Sequence, residues 1–113
     1  MGIHKTKMLS NRTADDVVNN LPRPVLKETM VKSLEMLGGG KFKEFKERLS
    51  GWDVSAGYQR IPMGSLQGAN AGQVADLIID YYKQSYGVKV TLGVLGAIGA
   101  GAAANNLEKI KEL

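Results

Sequence analysis

The chain has 113 residues, 43% of them hydrophobic, which is enough for one domain with a modest core. It contains no cysteine, which excludes disulfides and thiolate metal sites and fits a reducing compartment. The formal charge of +4 is mild, and a solvated basic face accounts for it more simply than a nucleic-acid site does.

Residues 1–22 are polar and lack a periodic apolar pattern, so they are predicted to form a flexible tail. Residues 13–18 have the composition of a single helical turn, but Pro22 and Pro24 prevent it from continuing into the next segment. Gly2 and Thr6 fit the loose N-myristoylation pattern, and one acyl chain would anchor the protein only weakly. The chain does not open with a charged segment followed by an apolar run, so the predicted location is the cytoplasm.

Two amphipathic helices are predicted from Pro24 onward, because apolar residues recur there at intervals of three and four. The first is expected to end at the glycines of positions 38–40. Trp52 is expected to extend the apolar stripe of the second or to cover the core beyond it. The stripes are Leu26, Met30, Leu34 and Leu37 in the first helix, and Phe42, Phe45 and Leu49 in the second.

Residues 50–69 are rich in glycine and predict an irregular connection with one turn near residues 65–67. Asn70 and Gln73 then have the spacing of a capping box that begins a helix ending at Gly87. Thr91 is expected to cap a further helix that ends before Gly99. A last helix is built on Ala103, Leu107 and Ile110. The prediction is an all-α bundle of five helices and one short turn.

Catalysis is not predicted, because the sole histidine is His4 in the tail and the carboxylates are scattered among lysines. No metal-ligand spacing occurs in the sequence, and no cofactor is expected. Residues 99–104 imitate a dinucleotide-binding turn but lack the strand and acidic residue that must follow it. The apolar run that contains them is shorter than the roughly twenty residues a membrane span needs. It is predicted to be a buried helix in which Gly93 and Gly96 allow close contact.

Five stretches of the chain resemble a pyrin domain, the death-fold module of inflammasome sensors and adaptors. In order they are SLEML, FKEFKERL, GYQRIPMGSL, VADLIIDYY and VTLGVLGAI, and the resemblance covers residues 25–112. It implies a six-helix Greek-key antiparallel bundle in which the third helix is short or replaced by a loop. Residues 23–113 are therefore predicted to be the pyrin domain and residues 1–22 a tail outside it.

The resemblance also implies that the chain binds the pyrin domain of an inflammasome adaptor. In this family a basic surface on the second helix meets an acidic surface on the first and fourth helices of a neighbour, and repetition builds a filament. By position, the basic candidates are Lys43 and Arg48 with Lys46 flanking, the acidic ones are Glu35 and Asp76 with Asp80 flanking, and Arg60 and Met63 are expected to be exposed for a partner. Tyr58, Ile61 and Leu66 are expected to anchor the loop.

Two departures from the family pattern bear on assembly. Asn70 and Gln73 stand where many members have acidic residues, and Met63 stands where a basic residue is common. The chain is therefore expected to self-assemble less readily than an adaptor and to favour an acidic pyrin partner. Three interpretations stay open: the N-terminal domain of a NOD-like receptor, or of an adaptor or inflammatory caspase, in innate immune and apoptotic signalling; a pyrin-only decoy that blocks assembly; and a basic helical DNA-binding domain.

Overall fold

The computed structural model describes residues 14–112, and all of their regular structure is helical. The helices are α1 (Ala14–Asn20), α2 (Arg23–Glu35), α3 (Gly38–Ser50), α4 (Met63–Leu66), α5 (Ala71–Ala97) and α6 (Gly101–Glu108), followed by a 3-10 turn (Lys109–Glu112). No strand occurs between residues 14 and 112, which confirms the all-α prediction.

The core is built from the predicted apolar stripes. Helix α2 packs against α5 and α6, while α3 packs against α5. The predicted stripe residues of α2 and α6 are buried, and so are Phe45 and Leu49 of α3, whereas Phe42 is only partly covered. The glycines at 38–40 both end one helix and begin the next: Gly38 adopts a φ of 73°, and all three belong to α3. The first predicted helix therefore ends close to the expected position, and the three glycines form the first turn of α3.

Helix α1 corrects the prediction of an aperiodic tail. Residues 1–13, including the candidate lipidation site Gly2, lie outside the described residues. Residues 14–20 form a helix, and its Val18 side chain is only 2% exposed. The amide of Gln84 donates hydrogen bonds to the carbonyls of Val18 and Leu21, both at 2.8 Å. A seven-residue helix is marginal by itself and buries one side chain, so no periodic pattern announces it.

The loop before α4 is anchored by fewer residues than expected. Ile61 and Leu66 are fully buried, as predicted, and Pro62 precedes the four-residue helix α4 in an extended conformation. Tyr58 remains 38% exposed and stacks on Tyr86, with 4.1 Å between the ring centroids. The short α4 agrees with the expectation of a minimal third helix in the bundle.

Helix α5 begins as predicted. The Asn70 side chain accepts a hydrogen bond from the Gln73 amide at 2.9 Å, and the Gln73 side chain accepts one from the Asn70 amide at 2.9 Å. These reciprocal bonds satisfy two backbone donors that a helix start leaves without partners. The capping box predicted from the sequence is confirmed.

The predicted break at Gly87 is wrong, because the chain changes direction at Lys83, with φ 66° and ψ −168°. Gly87 lies inside the second arm of α5, where an added Cβ would approach Ile78 Cγ2 to 3.1 Å. The close packing of Ile78 against this position therefore explains the glycine, which does not end a helix. Thr91 is not a cap either, since its hydroxyl donates to the Gly87 carbonyl one turn earlier at 2.7 Å. Gly99, with φ 73°, does follow the end of this helix as predicted.

Replacing Lys83 by glycine is expected to stabilise the protein by about 1 kcal/mol. The backbone of Lys83 occupies a region that only glycine adopts freely, which costs about 1–3 kcal/mol, and the chain entropy of glycine offsets up to about 1 kcal/mol of the gain. Urea unfolding measures the difference. Lys89→Gly, at an exposed helical lysine of the same arm, is the control and should destabilise by about 1 kcal/mol. Equal losses from the two variants would contradict a strained Lys83.

A close contact fixes the second arm of α5 against the segment after α3. A Cβ built on Gly93 would lie 2.7 Å from Trp52 Cζ2, whereas one built on Gly96 would meet nothing within 4 Å. The expectation of close packing is therefore confirmed for Gly93 and wrong for Gly96. Trp52 is half-buried and covers the core at this point, one of the two roles expected for it.

Candidate interaction surfaces

An ion-pair ladder joins α2 to α5. The Arg23 guanidinium lies 2.8 Å from Asp80 Oδ1 and 3.4 Å from Asp76 Oδ1, and Lys27 Nζ lies 2.8 Å from Asp76 Oδ2. Hydrogen bonding from Lys27 holds the pKa of Asp76 below its ordinary value, while the bond to Asp80 raises the pKa of Arg23. We call these four residues the α2–α5 ladder. The carboxylates expected to meet a partner are thus already paired within the chain.

Glu35, the third acidic candidate, is not part of the ladder. It is exposed and follows Lys27 by eight residues, which places it about 12 Å further along α2. No ion pair involves Glu35 within residues 14–112. The acidic candidates are therefore divided between a paired cluster and a single exposed carboxylate.

Helix α3 presents the opposite situation. Lys43 and Arg48 are exposed, and neither forms an ion pair with another described residue. They are five positions apart, so they project about 140° apart around the helix axis, on either side of the exposed Glu47. We call Lys43 and Arg48 the basic surface. Its charges are unneutralised but separate, and Glu47 dilutes the potential between them.

Lys46 does not belong to this surface. Its side chain is buried at 9% exposure, and Nζ donates to the Ala69 carbonyl at 3.1 Å and to the Gln67 carbonyl at 3.4 Å. The ammonium also lies 4.7 Å from the centroid of the Phe42 ring, in cation–π geometry. Lys46 therefore links α3 to the connection before α5, and its ammonium group is bound by acceptors of the same chain.

The two loop candidates differ in exposure. Arg60 is exposed, and its Nε donates to the Trp52 carbonyl at 3.0 Å, which holds the base of the guanidinium in place. Met63 opens α4 and is half-buried against the core, so it offers less surface than expected. Arg60 is the better placed of the two for contact with a partner.

Sequence reasoning missed Arg23 and Lys27, the cationic half of the ladder. Their spacing of four residues puts them on one face of a helix, and Asp76 and Asp80 have the same spacing. That shared spacing was the available signal. Matching the two pairs requires knowing that α2 and α5 lie side by side, which local patterns do not tell.

Within residues 14–112 no group of three or more acidic or histidine side chains could hold a metal ion. No helix of that part of the chain is both long and apolar enough to cross a membrane. Burial raises the pKa of the Tyr82 hydroxyl, which keeps this phenol neutral, and the ring packs edge-on against Tyr58 and Tyr86.

The candidate residues of this small helical bundle are charged side chains on the surfaces of α2, α3 and α5. Residues 29–105, more than half of the chain, match the family model described as "PAAD/DAPIN/Pyrin domain". The chain therefore belongs to the pyrin domain family of the death-fold superfamily, whose fold serves protein interaction and not catalysis.

Curated relatives agree with this assignment. The mouse apoptosis-associated speck-like protein containing a CARD is 35% identical over 86 residues, which is 76% of this chain and 45% of the relative. Mouse Pyrin is 33% identical over 84 residues, covering 74% of this chain and 11% of the relative. The chain thus spans less than half the length of these relatives.

A solved structure shows the same fold. The solution structure of the pyrin domain of human Pyrin superposes with a TM-score of 0.69 at 32% identity, covering 74% of this chain and 93% of that domain. The death-fold architecture expected from the resemblance is confirmed. Helix α1 precedes the segment that the family model matches.

Proposed function

We propose that this chain recruits the pyrin domain of an inflammasome adaptor, with its basic surface contacting acidic residues of the partner. The observation that carries the proposal is the contrast between two charged groups. Lys43 and Arg48 are exposed and form no ion pair in the described part of the chain. Asp76 and Asp80, in contrast, form ion pairs with Arg23 and Lys27. Unpaired charges are the ones available to a neighbour.

The energetic argument requires several contacts together. One exposed pair of opposite charges contributes up to about 1 kcal/mol, so Lys43, Arg48 and Arg60 would have to act in combination. Contacts of this kind join different surfaces of two molecules and do not close on themselves, which favours the nucleation of a filament. The setting we propose is cytoplasmic inflammatory signalling, with the chain as the N-terminal domain of a NOD-like receptor.

Lys43→Glu is expected to weaken binding to the pyrin domain of the mouse speck-like relative about tenfold. The change removes an attraction and adds a repulsion, together about 1.4 kcal/mol. Biolayer interferometry at low and at physiological salt measures it, and wild-type binding should itself weaken as salt screens the contact.

The control for this experiment is Lys89→Glu, which makes the same charge change at an exposed lysine of α5. It should alter binding less than about twofold, because rim charges outside a contact act only through screened long-range attraction. If the two variants weaken binding equally, α3 is not the docking surface. If the wild-type chain shifts the mobility of DNA in a gel at physiological salt, the nucleic-acid interpretation is favoured instead.

A further inference from the structure

The α2–α5 ladder matches its charges residue for residue. Two cations one turn apart on α2 face two carboxylates one turn apart on α5, and the Arg23 guanidinium reaches both carboxylates. The participating side chains are 39–58% exposed, so the ladder lies at the surface and not in the core. Its members are therefore within reach of another molecule.

We propose that Arg23 and Lys27 act as built-in competitors that close Asp76 and Asp80 to the basic surface of a second copy of this chain. The inference rests on the proposed function, because it supposes that charged surfaces of pyrin domains dock on one another. It adds that this chain docks through the basic surface and Arg60, and not through Asp76 and Asp80. Such a chain joins an assembly at one side and does not offer the next copy the carboxylates of Asp76 and Asp80.

Competition follows from where the cations are held. Arg23 and Lys27 are fixed beside the carboxylates by the packing of α2 on α5, so they compete at the high effective concentration of groups within one molecule. A lysine or arginine from a second copy has to displace them while gaining only the same kind of contact. The lowered pKa of Asp76 agrees with a carboxylate whose ionised form is stabilised by Lys27 and Arg23.

A surface cleft lies beside the paired carboxylates. Asp76 and Asp80 line an open surface cleft of about 450 Å³, together with Gly64, Ser65 and Gly68 of the α4 region. Small residues along this cleft leave room for a long basic side chain to approach. Removal of the two α2 cations would thus create an acidic docking surface without rebuilding the backbone.

The test compares two double variants that remove equal charge. Arg23→Gln with Lys27→Gln opens the ladder, whereas Lys32→Gln with Lys111→Gln frees Glu28 and Glu108 elsewhere, from pairs of 3.2 and 2.9 Å. Sedimentation velocity at low salt reports self-association of each. The ladder variant is expected to self-associate about tenfold more strongly than wild type, since each exposed pair contributes a factor of about two to five.

Two further measurements keep the outcome clear. Adding Asp76→Asn and Asp80→Asn to the ladder variant should restore wild-type behaviour, and circular dichroism verifies that every variant folds. Equal self-association of the two double variants, or strong charge-dependent self-association of the wild type, would overturn the inference. Binding of the wild type to the speck-like pyrin domain is measured in parallel. Absence of this binding would contradict the proposed function. Binding by the wild type, without stronger self-association of the ladder variant, would contradict only this inference.

Discussion

Lys46→Glu is expected to lower the free energy of unfolding by about 3 kcal/mol or more. The substitution removes the hydrogen bonds from the ammonium to the carbonyls of Ala69 and Gln67, and it places a carboxylate against those same oxygens. Hydrogen bonds to a charged group are worth about 1.5–3 kcal/mol, and a buried charge without a partner adds a comparable penalty. Loss of the contact with the Phe42 ring acts in the same direction.

The matched control is Lys43→Glu, three residues earlier on the same helix. Its side chain is exposed and unpaired among the described residues, so stability should change by less than about 0.5 kcal/mol. Urea unfolding of both variants, followed by circular dichroism, makes the comparison. The comparison separates the two lysines: Lys46 is held inside the fold by hydrogen bonds, whereas Lys43 is the exposed residue that we propose for contact with the partner. Similar stability of the two variants would show that Lys46 is not held inside.

Gly93→Ala is expected to destabilise the protein, whereas Gly96→Ala should stabilise it by up to about 1 kcal/mol. Both changes gain helix propensity, but only the Cβ at position 93 meets the Trp52 ring, at 2.7 Å. Overpacking of this kind costs about 1–3 kcal/mol, so the two variants should differ by about 2 kcal/mol.

Thermal and urea unfolding of the two glycine variants provide the measurement. Trp52 is the only tryptophan of the chain, and its fluorescence should change in the Gly93 variant and stay constant in the Gly96 variant. Combining Gly93→Ala with Trp52→Leu should recover part of the loss by removing the ring. A Gly93→Ala variant as stable as Gly96→Ala would mean that the ring moves aside at little cost.

Local patterns were sufficient to predict the helices that form most of the core. The α2 stripe repeats every three or four residues, and the capping box of Asn70 and Gln73 depends on side chains three positions apart. Helix α1 and the kink escaped prediction for a different reason. Both depend on contacts over long sequence distances, such as that of Gln84 with Val18, and Lys83 has no side-chain feature that favours its backbone conformation.

The charged candidates show the same limit. Composition and position identified Lys43 and Arg48 as surface residues of a helix, which they are. The sequence could not distinguish them from Lys46, because a lysine at the edge of an apolar stripe can direct its long stem either inward or outward. Nor could it show that Asp76 and Asp80 are paired, since their partners lie on a helix some fifty residues earlier.

Helix α1 has a practical consequence for anyone who trims the chain to its family boundaries. Cutting before Arg23 would delete Val18 from the core and leave the Gln84 amide without its carbonyl acceptors. It would also remove the Asn19 oxygen that accepts from the Ser85 amide, at the very bend where Lys83 is strained. Fragments that start at residue 23 should therefore be less stable than a chain that includes α1, and binding measured on such fragments would carry that loss of stability with it.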